Sequence, residues 1–153
     1  MALRLESPSF RNGELIPPRF TCDGENVSPA LRWAEAPAGT QCLALVCDDP
    51  DAPGKTFTHW VLFNIPLNPP ELREGIPTEK TLPNGARQGT TDFGKTGYGG
   101  PCPPGGLHRY FFKLYALDKP LDLAAGADKN QLEKAMAGHI LGEAQLMGKY
   151  QRH

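Results

Sequence analysis

No apolar stretch in these 153 residues approaches the roughly 20 that a membrane-spanning helix needs. An excess of one charge is also missing: 16 Lys and Arg stand against 17 Asp and Glu, a net charge of −1, with the two signs interspersed. That excludes a basic stripe for duplex nucleic acid and a polybasic membrane anchor. The opening residues Met1-Ala2-Leu3-Arg4-Leu5-Glu6 lack the long apolar core of a secretion signal, so the expected compartment is the cytoplasm. There are no repeats, linkers or low-complexity tails. The length suits a single domain over residues 1–153, able to bury roughly 70% of its unfolded surface. Cysteine is scarce: Cys22, Cys42, Cys47 and Cys102 form no CxxC pair and no zinc-like spacing with histidine. Cys42 and Cys47 fall in an apolar run and read as small buried thiols. Cys22 and Cys102 sit in turn-rich segments and could meet across a pocket rim, although most cytosolic thiols stay reduced.

What the chain does have is glycine and proline, 17 and 16 residues, placed between clear apolar runs. This punctuation predicts loop-rich β structure rather than disorder. Residues 41–47 (QCLALVC) are nearly all apolar, as in a strand covered on both faces. Residues 59–65 (HWVLFNI) form a second strand, with His59, Val61, Phe63 and Ile65 expected on one face, and Pro66 ends it. Residues 110–117 (YFFKLYAL) form a third, with Tyr110, Phe112, Leu114 and Ala116 sharing a face with His108. Leu3–Leu5, Arg19–Cys22 and Leu31–Trp33 are weaker strand candidates. The connections favour antiparallel pairing over βαβ units. From Asp128 to about Lys149 the residues Leu132, Met136, Ile140, Ala144 and Met147 give a helical stripe, with Asp128 and Gln131 in capping-box positions. Gly138 and Gly142 are explained by close approach of this helix to a sheet. The expected fold is mainly β, a two-sheet antiparallel sandwich with a C-terminal helix.

Two segments look able to wall a pocket. In Cys47-Asp48-Asp49-Pro50-Asp51-Ala52-Pro53-Gly54, two prolines and a glycine fix the backbone beside three carboxylates. Asp49 is the expected inward carboxylate, and Asp51 is expected to order the loop or pair with a cation such as Arg109. In Tyr98-Gly99-Gly100-Pro101-Cys102-Pro103-Pro104-Gly105-Gly106-Leu107-His108-Arg109-Tyr110, a loop unfit for helix or ladder runs into a strand. His59 and His108 offer N–H donors when suitably protonated, Tyr110 an O–H, and the backbone at Gly99 and Gly100 an anion-receiving concavity. Arg109 alternates to the opposite face. Two other chemistries use the same groups. Asp49, His59 and His108 could act as general acid and base in a hydrolase, though no GxSxG elbow accompanies them. The same three could form a two-His, one-carboxylate metal site, though H-x-H and HExxH spacings are absent. Residues 89–96 (GTTDFGKT) match the phosphate-loop pattern G-x-x-x-x-G-K-[ST]. That motif needs a buried strand before it and a helix after it, and Gly97-Tyr98-Gly99-Gly100-Pro101 cannot start a helix, so nucleotide chemistry is rejected here.

Asp49 to Pro53 (DPDAP), the strand with His59, and Gly100 to Tyr110 (GPCPPGGLHRY) resemble the paired motifs of the phosphatidylethanolamine-binding protein, or Raf kinase inhibitor-like, family. The bacterial and archaeal branch is the most similar, through Thr21-Cys22-Asp23-Gly24, Ser28-Pro29, residues 92–98 and residues 139–144. The resemblance implies a shallow pocket for phosphate, phosphorylethanolamine or a phospholipid headgroup, with no cofactor, no metal and no catalytic residue. It assigns Asp49, His59, Pro101, His108 and Tyr110 to the ligand, with the Gly100 backbone beside it; Asp51, Pro53, Phe57 and Arg109 are expected to support the pocket. It also implies a cis peptide before Pro53, a protein kinase or protease as a target to be inhibited, and homodimerisation. No nucleic-acid partner and no integral membrane association are expected.

Overall fold

Residues 2–152 are described by a computed structural model. The strands are β1 (Arg4–Glu6), β2 (Leu31–Ala34), β3 (Cys42–Asp49), β4 (Phe57–Ile65), β5 (Glu71–Leu72), β6 (Arg87–Gln88), β7 (His108–Leu117) and β8 (Ile140–Tyr150), with one α-helix, α1 (Lys129–Met136). They form a three-stranded sheet, β1-β2-β5, and a five-stranded sheet, β6-β4-β3-β7-β8, with every strand pair antiparallel.

The three apolar runs make the centre of the larger sheet because they can be covered on both sides. Leu43, Leu45, Trp60, Leu62, Tyr110, Phe112 and Leu114 pack toward the small sheet's Leu5, Leu31, Trp33 and Leu72. The alternate residues Ala44, Val46, Val61 and Phe63 pack on Leu132 and Met136 of α1. Full burial of each such large side chain is worth about 1.5–3 kcal/mol. The buried Tyr98 hydroxyl donates to the Phe20 carbonyl at 2.7 Å, and burial raises its pKa well above the ordinary tyrosine value. Tyr110 is shifted in the same direction, chiefly by burial. Groups with raised folded-state pKa values stabilise fully below their unfolded pKa of about 10 and lose that contribution as pH rises through the folded value. Folding stability should therefore hold between pH 8 and about pH 10 and fall steeply beyond it, as urea titrations along this range would read.

The chain departs from expectation at three places. The capping box forms, with Gln131 N–H donating to Asp128 at 2.8 Å and Asp128 N–H donating to Gln131 at 3.0 Å, but the helix stops at Met136. Residues 140–150 are instead strand β8, which pairs with β7 from Leu117↔Ile140 to His108↔Tyr150. In its second half Leu146, Gly148 and Tyr150 are buried in strict alternation. Eleven residues of ladder on an otherwise open strand outweigh helix propensity already weakened by two glycines. The tight approach expected of a helix is made by this strand: a Cβ at Gly148 would collide with Ile16 and Phe10. Arg19–Cys22 is not a strand. Pro18–Phe20 forms a 3-10 turn with proline at its start, where the fixed φ suits a helical turn. The cis peptide among the described residues precedes Pro69, and none precedes Pro53. His139 lies far from both pocket walls, bonded through Nδ1 to Asp118 at 2.9 Å.

Candidate functional site

A cavity of about 320 Å³ opens at the end of β3, β4 and β7, lined by Asp49, Ala52, Pro53, Phe57, His59, Phe93, Cys102, Pro103, Pro104, His108 and Tyr110. Three neighbouring strands thus carry its polar corner, and two Pro-rich loops carry its walls. His59 arrives there through a β-bulge. Cys47 pairs with Trp60 but Asp48 pairs with Thr58, so His59 is an extra residue on β4. Strict alternation would put His59 with Val61 and Phe63 on the helix side. The bulge turns it to the opposite face, against Tyr110 with ring centroids 5.2 Å apart.

Asp49 is 3% exposed, and both its oxygens are used. Oδ1 accepts the Asp51 N–H at 2.7 Å, and Oδ2 meets His108 Nδ1 at 2.6 Å. His108 Nε2 lies 3.0 Å from the Gly105 carbonyl. A carbonyl only accepts, and so does an ionised carboxylate. Both contacts are hydrogen bonds when the ring carries two protons, an imidazolium held against Asp49. Neither nitrogen is then free to coordinate a metal or take a proton from a substrate.

His59 is arranged differently. Its Nδ1 donates to the Gly99 carbonyl at 2.7 Å. Burial lowers its pKa below 6.5, opposed by the Gly99 carbonyl and Asp49. The neutral ring therefore leaves Nε2 as a lone-pair acceptor. Tyr110 is 1% exposed, and among the described residues its hydroxyl makes no hydrogen bond of good geometry, although Asp49 lies close enough to act on it. Burial first, and the Asp49 charge second, push the phenol pKa far up, so it stays an O–H donor. Phe57 and Phe93 close the outer side, edge to face at 4.8 Å, each also against His59.

The supporting residues divide. Pro53 and Phe57 line the cavity, whereas Asp51 and Arg109 lie outside it. Asp51 takes the Arg109 backbone N–H, Nε and Nη2, each at 2.9 Å, and Arg109 holds the Asp51 carboxyl down to about 2. Gly100 and Pro101 are not on the cavity surface, a correction to the expected site. Gly99 N–H donates to the His59 carbonyl at 3.0 Å and Gly100 N–H to Asn26 Oδ1 at 2.8 Å, so neither amide remains for an anion. Gly100 is glycine because a Cβ would collide with the Phe20 carbonyl and Asn26. Cys22 and Cys102 form a disulfide that ties this loop to the turn at residues 21–26. Cys42 and Cys47 are free and buried.

Ala52, Cys102, Pro103 and Pro104, from the two expected wall segments, also line the cavity, whereas Phe93 lines it without having been assigned to it from the sequence. Phe93 belongs to the rejected phosphate-loop match. There Thr90 and Thr96 pair across a short turn, Asp92 accepts the Thr58 N–H at 2.7 Å, and no helix follows. A polar hollow of about 350 Å³ beside Lys55, Asp92 and Lys129 has both lysines already paired, with Asp92 at 3.4 Å and Asp48 at 3.0 Å.

A sandwich of a three-stranded and a five-stranded antiparallel sheet, with a cavity at one end holding a buried Asp–His pair, a second histidine and a tyrosine, defines the class. The sequence profile of the phosphatidylethanolamine-binding protein family matches residues 6–151. A UPF0098 protein of Methanothermobacter thermautotrophicus is 54% identical over 98% of this chain and 99% of its own, and one of Aquifex aeolicus is 49% identical over 95% and 86%. The crystal structure of a phosphatidylethanolamine-binding protein homologue from Chlamydia trachomatis superposes with a TM-score of 0.92 at 37% identity, covering 99% of both chains. Escherichia coli YbcL, described as a member of the mammalian family, gives 0.91 at 30% identity over the whole of both chains. The chain belongs to the phosphatidylethanolamine-binding protein family. No helix among the described residues is long and apolar enough to cross a membrane.

Proposed function

We propose that the cavity binds a small phosphate-bearing anion, inorganic phosphate or phosphorylethanolamine, and that the protein acts by binding rather than by turnover. The Tyr110 hydroxyl carries this reading: it is the buried donor of a residue on the cavity wall, and among the described residues it makes no hydrogen bond of good geometry, the nearby Asp49 being engaged by His108 and the Asp51 amide. Leaving such a group unpaired costs about 1–3 kcal/mol, a cost that a ligand oxygen removes. Binding is favoured over catalysis because the wall offers no activated nucleophile. Cys102 is locked in a disulfide, and the Tyr110 phenol is held in its protonated form.

Tyr110→Phe separates a ligand role from a structural one. Removing an unpaired donor is expected to leave the free protein as stable or about 1 kcal/mol more stable, while weakening phosphate binding about tenfold. Urea unfolding and phosphate titration followed by amide and imidazole chemical shifts read the two effects. Failure of phosphate and phosphorylethanolamine to shift the His59 and His108 resonances at millimolar concentration would end the proposal.

A further inference from the structure

The cavity's polar groups also specify the protonation state of the guest. Four polar atoms surround its inner corner, and two are already committed: Asp49 Oδ2 and His108 Nδ1 satisfy each other at 2.6 Å. What remains for a ligand is one donor, the Tyr110 hydroxyl, and one acceptor, His59 Nε2, the nitrogen left with a lone pair when the buried ring is neutral and its Nδ1–H is bound to the Gly99 carbonyl at 2.7 Å. We propose that the site takes an oxyanion that still carries a proton, a phosphate monoester as its monoanion, with P–O⁻ accepting from Tyr110 and P–OH donating to His59 Nε2. This rests on the phosphate-binding reading above and narrows it: a phosphodiester, which has no P–OH, is disfavoured, and so is an intact phospholipid headgroup.

Charge points the same way. No Lys or Arg lines the cavity, and the ionisable groups on it are Asp49, His59, His108 and Tyr110. Any charge on His108 is offset by Asp49, and Asp48, the other carboxylate near His59, is engaged by Lys113 and Lys129 on the opposite face of the sheet. A dianion would enter a mostly apolar hollow without a counter-charge, whereas a monoanion incurs a much smaller desolvation penalty. The second proton of a phosphate monoester leaves near pH ~6, so at pH 7 the monoanion remains a substantial minority species and recruiting it costs about a factor of ten.

One alternative gives the same proton count: a dianion beside a protonated His59. A pH titration of affinity is blind to that difference, because each complex holds one proton between ligand and ring. Two measurements resolve it. The first compares ligands at pH 7 by chemical-shift titration: inorganic phosphate, phosphorylethanolamine, sulfate, dimethyl phosphate and glycerophosphorylethanolamine. The first two can supply a P–OH, sulfate has none at this pH, and the diesters have none at any pH. Phosphate and phosphorylethanolamine are expected to bind at least tenfold tighter than the other three, since each of those leaves the His59 acceptor unpaired. If phosphorylethanolamine exceeds phosphate, the Phe57, Phe93 and proline walls contribute to a monoester ligand. Equal affinities place recognition in the phosphate alone, and either result supports the proposal. The second records the His59 imidazole nitrogens in the phosphorylethanolamine complex, because the dianion of a monoester has no P–OH whereas the dianion of inorganic phosphate keeps one; there Nε2 should keep the resonance of an unprotonated nitrogen.

Sulfate or a diester binding as tightly as phosphate, or an Nε2 that gains a proton in the complex, would overturn the inference and leave phosphate binding standing. Absence of any shift with all five ligands would remove both.

Discussion

Asp49→Ala should lower folding stability by about 3–5 kcal/mol and abolish phosphate binding. The carboxylate is buried and has two clients. Truncation leaves the Asp51 amide without its acceptor and leaves His108, at 6% exposure, as an uncompensated imidazolium or as a neutral ring whose Nδ1 has no hydrogen-bond partner. Either outcome costs more than the pair's own net contribution, because the penalty is that of a stranded buried group. The cavity suffers in the same step: the loop carrying Ala52 and Pro53 is held by the Asp49–Asp51 turn, and His108 stacks on Tyr110 with centroids 6.5 Å apart. Asp49→Asn keeps the side chain's shape and one acceptor oxygen, so it should cost less, about 1–3 kcal/mol. Urea unfolding at pH 7, with the His108 imidazole nitrogens recorded in parallel, tests the ranking. An alanine variant within about 1 kcal/mol of the parent would show that the Asp49–His108 contact carries little of the site's structure.

Much of this architecture could be read from the chain, and the failures have physical reasons. Strands β3, β4 and β7 were legible because a strand covered on both faces must be apolar almost throughout, and the prolines and glycines that end those runs are as visible as the runs themselves. Strand β8 was not. Leu132, Met136, Ile140 and Ala144 sit at helical spacing, yet the second half of that stripe is decided by the open edge of β7, which lies about 30 residues back in the chain. Ile140, expected on the apolar face, is 41% exposed. Within the cavity, Asp49, His59, His108 and Tyr110 come together, as do Pro53 and Phe57. The face assigned to His59 was wrong because a bulge shifts side-chain alternation by one residue and leaves no local sequence mark. Gly100 and Pro101 were misplaced because glycine at that position signals a close approach, and sequence does not say to what. Here the neighbour is the Phe20 carbonyl rather than a ligand. Phe93 could have been found only by asking what an aromatic was doing at the tip of a glycine-rich turn.

The disulfide carries the second large effect. Cys22 and Cys102 are separated by 80 positions, and a cross-link closing a loop of that size restricts the unfolded chain by up to about 4.5 kcal/mol. Cys22→Ser with Cys102→Ser should lose most of that stability, and the parent protein under reducing conditions should lose the same amount. The fold should nevertheless persist, because hydrogen bonds sew the same two segments together. Cys22 N–H donates to the Pro101 carbonyl at 3.1 Å, Gly100 N–H to Asn26 at 2.8 Å and Tyr98 Oη to the Phe20 carbonyl at 2.7 Å. These contacts hold residues 98–101, upstream of the cross-link, so the loosened part is Cys102 to Gly105, the stretch that supplies Pro103 and Pro104 to the cavity wall and the Gly105 carbonyl to His108. Phosphate affinity should accordingly fall by a few-fold rather than vanish, since Tyr110 and His59 are fixed by β7 and β4. Urea midpoints of the double variant and of the parent, each with and without a dithiol reductant, give the answer. A parent protein indifferent to reduction, with a double variant of equal stability, would mean that the hydrogen bonds alone hold the loop and that the cross-link contributes nothing to the folded balance.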